Sequence, residues 1–417
     1  MTVTNTGLHS LPISQRPSTS IRQKLRAVVF FVVFNLGCLM ILTCQFVFLL
    51  PLRLFPFKWS RSLYEEGIRY TKGSFGCLII LMSQWFSPTT LKITFEAEGK
   101  GAVPQDVVDN IVVKDKHGQV VGLDLPTRFV YIANHQVYAD WWYAWCFLYY
   151  IDQGLHRNIY ITLKKTLKWV PVVGWGMQFF NFIFLSRSWA SDRLQLAVHL
   201  SALGKAAESQ DSPLAFVLYP EGTLVSKDTR PISRKFADKM GIADMTNTLL
   251  PRSTGLLYSL RSLAPRVKDL HMLDVTMSYP GIPHRGYGQS YYTLRSMFFD
   301  GVSPPALNMH LRLFHVQKLP IGDLSNTNPS EVPDNSPNGH AVEVDIPESE
   351  KAEFDAWLRD LWREKDESMT RLLEQGRFST KDLPVYEIPM RLKRTRDMFD
   401  AFALFLPTIF FGKMKSQ

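Results

Sequence analysis

The chain has 417 residues, room for one large catalytic domain with membrane elements or for two smaller domains. Hydrophobic residues make up 46% and aromatics 13%, and the net charge of +9 is unevenly spread: no Asp or Glu precedes Glu65, whereas Arg16, Arg22, Lys24, Arg26, Arg53, Lys58 and Arg61 all do. Basic residues that bracket greasy stretches favour anionic lipid headgroups over the polar stripe of a nucleic-acid binder, so a bilayer partner is expected and nucleic acid is not.

Residues 1–26 are Ser/Thr-rich and basic and lack apolar periodicity, which reads as a disordered leader. Their Arg-containing, acid-free composition also fits a mitochondrial transit peptide. Residues 27–90 form the membrane anchor. Within them, 27–50 are 24 uncharged residues ending at Pro51, long enough to span a bilayer with some tilt, since about 20 suffice. The second apolar stretch, 73–86, has only 14 residues and carries Trp85 at its edge, which suits a re-entrant or interfacial helix.

Residues 91–321 read as an α/β domain. Short β-branched segments at 91–95, 111–113 and 119–121 are broken by Gly, Pro and Asp. Phe129-Val130-Tyr131-Ile132-Ala133 is a buried-strand pattern that runs straight into Asn134-His135, and the aromatic run 141–150 after Asp140 reads as a helix. Strand, functional turn, then helix is the usual α/β site geometry. Residues 169–186 are uncharged but interrupted by Pro171, Gly174, Gly176, Gln178 and Asn181, so a loop plus a buried strand at 182–185 is preferred to a membrane helix. A helix over 192–207, a buried strand over 213–219 and a strand over 274–279 closed by Pro280-Gly281 complete the domain. Residues 322–350 are a polar linker. In 351–417, Phe354, Trp357, Leu358, Leu361 and Trp362 fall on one helical face, which docks on the domain or lies in the headgroup layer. Arg391, Lys393, Arg394 and Arg396 then precede 12 uncharged residues, 401–412, a basic and hydrophobic tail suited to a membrane surface.

His135 is the strongest candidate for chemistry. Acyl transfer to an alcohol needs a base to take the hydroxyl proton, and an imidazole with an unperturbed pKa of about 6.5 suits that at neutral pH. Asp140 can accept from the other ring nitrogen, fixing the tautomer. Within one continuous helix a five-residue offset would set the two roughly 140° apart. His135 is therefore expected in the turn before the helix and Asp140 in its first turns, with Asn134 holding the turn through side-chain to backbone bonding. Taken alone, a His-x4-Asp pair is more often coincidence than chemistry. Downstream, Tyr219-Pro220-Glu221-Gly222-Thr223 follows a strand, and such a turn can bind phosphate oxygens or an oxyanion; its plain alternative is a strand-to-helix turn capped by Thr223. Arg187 can clamp a phosphate or simply snorkel at the end of an apolar run. Lys227, Arg230, Arg234 and Arg252 add positive charge nearby in sequence. Cys38, Cys44, Cys77 and Cys146 all lie in apolar runs without metal-ligand spacing, and no Asn-x-Ser/Thr acceptor occurs. Neither a disulfide framework nor a metal is expected, and the chemistry reads as cytosol-facing.

Asn134-His135-x4-Asp140, Phe182-Ile183-x3-Arg187, Tyr219-Pro220-Glu221-Gly222-Thr223 and the stretch from Val275 to Pro280 resemble the four ordered blocks of the glycerophospholipid acyltransferase (PlsC-like) family. The resemblance implies a mixed α/β sheet flanked by helices and mounted on one or two N-terminal membrane helices. It implies acyl-CoA as co-substrate with no further cofactor, a lysophospholipid acceptor, His135 as general base paired with Asp140, and no metal. Asn134, Arg187, Glu221, Gly222, Thr223 and Arg252 are then the expected substrate-binding residues. Many lysophosphatidate-specific members carry Arg directly after Glu-Gly-Thr, and here it is Leu224, which turns the reading toward a lysophosphatidylinositol or lysocardiolipin acceptor. The stretches 233–241 and 250–255 and the Trp362-Arg363-Glu364-Lys365-Asp366 helix are similar to that branch. Lysophosphatidic acid is the alternative acceptor, and a non-catalytic membrane-binding protein the alternative class. An endoplasmic reticulum membrane, with the catalytic domain cytosolic, is the expected location, and a mitochondrial membrane the alternative.

Overall fold

The computed structural model describes residues 7–186, 188–324 and 346–404. Most of the polar linker, the tail beyond residue 404, and Arg187 lie outside the described residues.

The apolar N-terminal run forms a nearly unbroken helix: α1 (Ile21–Cys44), one π-helical turn (Gln45–Leu49) and α2 (Leu50–Leu54). It opens on a capping box, in which the Ser20 hydroxyl accepts from the Gln23 N–H and the Ser20 N–H donates to the Gln23 side chain. Among the described residues Ile21–Leu54 is the one helix long and apolar enough to cross a membrane, by length and composition. One face of it is covered by protein, through Phe30, Cys38, Ile41 and Leu42, while Val28, Phe31, Val32, Leu36, Leu39, Val47 and Phe48 are exposed. Part of the leader differs from the disordered segment expected for 1–26. Arg16 donates to the carbonyls of Leu8, Leu11 and Tyr291, and these bonds hold described leader residues onto the domain.

Helix α3 (Lys58–Phe86) returns antiparallel along α1. The stretch 73–86, expected as a re-entrant or interfacial helix, is its C-terminal half, and residues 75–82 are buried in protein. A run too short to span a bilayer is long enough to be the central helix of a layered domain.

The remaining strands and helices follow in chain order: β1 (Thr90–Phe95), α4 (Gln105–Ile111), β2 (Val112–Lys114), β3 (Val120–Leu123), β4 (Arg128–Ala133), α5 (Asp140–Tyr150), β5 (Ile159–Lys164), α6 (Val173–Phe179), β6 (Ile183–Leu185), α7 (Trp189–Gln210), β7 (Leu214–Leu218), α8 (Arg230–Met240), α9 (Ser253–Leu263), β8 (His271–Ser278), β9 (Ala306–His315), α10 (Glu348–Gln375), β10 (Tyr386–Pro389) and α11 (Thr395–Asp400). Eight strands form one mixed sheet in the order β10-β1-β9-β8-β4-β7-β5-β6. Neighbours from β8 to β6 are parallel, β1 runs parallel to β9, and the β9–β8 and β10–β1 pairs are antiparallel. The sheet is covered on both faces. In β4, Phe129, Tyr131 and Ala133 face the core shared with α1, α3 and α5, while Val130 and Ile132 face the one shared with α7, α9 and α10. A strand buried on both sides reads as a continuous apolar run, which is why residues 129–133 show no alternation.

The helix expected from Phe354 onward docks on the domain: Phe354, Leu358, Leu361 and Trp362 are wholly buried. Lys365 follows them inward, 2.7 Å from Asp274 of β8, and donates to the Val275 carbonyl at 2.9 Å.

Candidate active site

Three adjacent parallel strands, β8, β4 and β7, end on the same edge of the sheet. Loops that follow such strands share a crevice. Asn134 and His135 follow β4, the turn from Tyr219 to Thr223 follows β7, and Tyr279 follows β8.

His135 lies in the turn before α5 and Asp140 is the first residue of that helix. Nδ1 of His135 is 2.7 Å from Oδ2 of Asp140. A carboxylate only accepts, so Nδ1 carries the proton and Nε2 is the basic nitrogen. Among the described residues Nε2 has no protein partner, and 17% of the His135 side chain remains accessible. Asp140 is wholly buried. Its Oδ2 also accepts from the N–H groups of Gln136 (2.7 Å) and Val137 (3.1 Å), and Oδ1 accepts from the Tyr279 hydroxyl (2.6 Å). Four donors therefore fix a carboxyl that burial would otherwise make costly. Burial, reinforced by Asp140, pushes the Tyr279 hydroxyl well above its usual range, so it stays a donor. The Tyr219 ring stacks on the imidazole, with centroids 4.5 Å apart.

Glu221 points inward. Its Oε1 accepts from the His135 N–H (3.2 Å) and the Trp362 indole (3.4 Å), and its Oε2 from the Leu249 N–H (3.1 Å). Burial pushes this carboxyl up to about 8, against the donors and Lys365 that favour the anion. Gly222 follows at φ +71°, a conformation that suits glycine, and Arg252 lies 3.5 Å from where a Cβ would stand. The Arg252 side chain is exposed and its guanidinium has no protein partner among the described residues. Thr223 is half-buried in the same turn, and Leu224 turns into the core. The neighbouring loop is gripped from two sides. Asp366 of α10 accepts from the N–H groups of Thr246, Asn247 and Thr248 at 2.7–2.8 Å. Arg230 donates to the carbonyls of Met245, Thr246 and Thr248.

The structure thus brings His135, Asp140, Glu221, Gly222, Thr223 and Arg252 into one region. Asn134 is close in the chain but turned away. Its side chain exchanges two hydrogen bonds with the Met277 backbone, at 2.9 and 2.7 Å, and ties the end of β4 to that of β8. For Arg187, the described neighbours Ser186 and Ser188 both donate their N–H to Asp192. Sequence reasoning missed Tyr279 as the second support of Asp140, although it falls within the fourth block. It also gave Trp362 and Asp366 no place in the site, and their partners there lie 141 and about 120 residues away, beyond any local spacing rule.

The pattern of the Acyltransferase family matches residues 117–279, a span that contains every residue of this centre except Trp362, Lys365 and Asp366 of α10. The chain is 31% identical, over 354 residues, to an acyltransferase of Schizosaccharomyces pombe described as uncharacterised, covering 85% of this chain and 87% of that one. It is 29% identical to the 2-acyl-1-lysophosphatidylinositol acyltransferase of Saccharomyces cerevisiae, over 88% of this chain and 89% of that one. With lysocardiolipin acyltransferase 1 of Danio rerio it shares 29% identity over 59% of this chain and 53% of that one.

Proposed function

The chain belongs to the acyltransferase family, and from that premise we propose that it transfers a fatty acyl group from acyl-CoA to the free hydroxyl of an anionic lysophospholipid of lysophosphatidylinositol or lysocardiolipin type. The observation that carries the reading is the His135–Asp140 pair, with Nδ1 committed to the carboxylate and Nε2 without a partner among the described residues. Nε2 takes the proton of the acceptor hydroxyl as its oxygen attacks the thioester carbonyl. Asp140 stabilises the imidazolium that forms, and the collapsing tetrahedral intermediate expels the CoA thiolate, which recovers the proton from Nε2. No protein nucleophile is required. Arg252, exposed beside the Gly222 turn, offers its guanidinium to the acceptor phosphate. Glu221 acts through the backbone it holds.

The names of the yeast and fish relatives support a phosphodiester lysolipid as acceptor. So does Leu224, whose buried side chain leaves the position after Glu-Gly-Thr without a charge. The apolar outer face of Ile21–Leu54 supports a bilayer as the place of work. Location in the endoplasmic reticulum, with the catalytic edge cytosolic, completes the proposal.

The test is acyl-CoA-dependent turnover by purified protein against lysophosphatidylinositol, lysocardiolipin and lysophosphatidic acid, with His135→Ala alongside. The wild type is expected to prefer one of the first two, and the variant to lose about 10²–10⁴-fold in kcat. Turnover unchanged in the variant removes the mechanism; preference for lysophosphatidic acid removes the substrate assignment.

A further inference from the structure

The segment between β5 and β6 carries more exposed aromatic surface than a connecting loop needs. Trp169 is 68% exposed and Trp175 43%, with Leu167 and Val170 exposed beside them. Lys164 and Lys165 are exposed as well, and the Lys168 ammonium lies 4.9 Å from the Trp169 ring centroid. These side chains stand on a rigid support. Gly174 packs so closely on the Leu167 carbonyl that a Cβ would collide with it, and the Gln178 side chain donates to the Lys168 carbonyl at 3.0 Å. Val172 has φ +63° and ψ −68°, with the Val173 N–H bonded to the Pro171 carbonyl at 2.7 Å. A γ-turn of this hand is strained, more so at a β-branched residue, and it persists only where its surroundings over-determine it.

The patch is continuous with the apolar face of the N-terminal helix. Gly176 of α6 faces Leu42 and Gln45, and the Phe179 ring lies 5.1 Å from that of Phe46, next to exposed Val47 and Phe48. It also sits at the catalytic edge, because β5 ends there in parallel with β4 and β7. Tryptophans beside lysines, at the border of an apolar face, match the interface of a bilayer with anionic headgroups: indole rings suit the headgroup layer and lysines its negative potential.

We propose that the Lys164–Trp175 segment is a second membrane contact, a wedge that seats Trp169 and Trp175 in the headgroup layer of an anionic leaflet and sets the catalytic edge against the lipid surface. This rests on the bilayer reading above. Acyl transfer itself does not depend on it, and the wedge acts only on lipid presented in a membrane.

The experiment compares full-length wild type with Trp169→Ala/Trp175→Ala in vesicles of phosphatidylcholine and phosphatidylinositol. The first readout is tryptophan quenching by lipids brominated near the headgroup, taken as the difference between the two proteins. The second is turnover of lysolipid embedded in those vesicles and, separately, dispersed in detergent. The wedge predicts a quenched difference signal that weakens without the anionic lipid. It also predicts a roughly tenfold loss on vesicles, with detergent turnover within about twofold. An unquenched difference signal overturns the proposal, including the case in which a partner protein covers the patch, and so does an equal loss in both lipid presentations. Absence of turnover by either protein in either presentation counts against the proposed reaction instead, and quenching still decides the wedge.

Discussion

Glu221 joins three elements through one carboxyl group, meeting the His135 turn, the Leu249 loop and Trp362 of α10. In sequence it reads as part of a phosphate-binding turn, because Glu-Gly-Thr after a strand looks the same whether the side chain faces ligand or core. What the sequence cannot display is the convergence of donors from residues 135, 249 and 362. The consequence can be measured. Burial raises this carboxyl from 4.5 to about 8, so the folded protein keeps the proton over a range where the unfolded chain has released it. The stability that this group contributes is complete below the unfolded value and is lost as pH rises through the folded one, by up to about 1.4 kcal/mol per pH unit. Thermal midpoints of the wild type in detergent are expected to fall between about pH 5 and pH 8. Glu221→Gln cannot ionise and should lose that part of the slope; an identical slope in both proteins would exclude Glu221 as its source.

At the scale of elements, α10 belongs to the catalytic centre although it lies far beyond the family-matched span in sequence. Asp366 satisfies three consecutive backbone N–H groups of the loop that presents Leu249 to Glu221 and leads on to Arg252. Asp366→Ala leaves those groups unpaired, at a cost of about 1–3 kcal/mol for each that water cannot reach. The expected result is a KM for the lysolipid raised about tenfold, with the KM for acyl-CoA nearly unchanged, measured by varying each substrate in turn. A uniform fall in kcat with both KM values intact would mean that the loop does not position the acceptor. The amphipathic face of α10 was legible because five large apolar residues keep helical spacing. Strand β4 was legible as a short run of aromatic and β-branched residues, and β7 as a short continuous apolar run around Phe216 and Val217. Strand β9 was not: Ala306-Leu307-Asn308-Met309-His310-Leu311-Arg312-Leu313-Phe314-His315 contains no Val, Ile or Thr, and Ala, Leu and Met favour helix. Its strand form comes from pairing with β1 and β8 on either side, which local sequence does not record.

For the whole molecule, the N-terminal helix is integral to the core in a way that an apolar run of 24 residues does not announce. Length and composition predict an anchor, and they are silent about what its other face touches. Gly37 lets α1 approach Leu78 of α3, where a Cβ would stand 2.7 Å from a Leu78 methyl, and Phe30 lies among Phe86, Phe298 and Phe299. Phe30, Ile41, Leu42 and Leu49 are all nearly or wholly buried. At about 1.5–3 kcal/mol for each large apolar side chain, the four together are worth as much as the whole net stability of a typical domain. A chain lacking residues 1–54 should therefore aggregate in size-exclusion chromatography and lose acyl transfer even with detergent-dispersed substrate. A mere tether would leave a soluble, active domain. Gly37→Phe separates packing from anchoring, because it keeps the helix long and apolar while forcing it away from Leu78. If the contact matters, the variant partitions into membranes like the wild type but melts at a lower temperature in detergent, whereas an unchanged midpoint would return the helix to the role of a simple anchor.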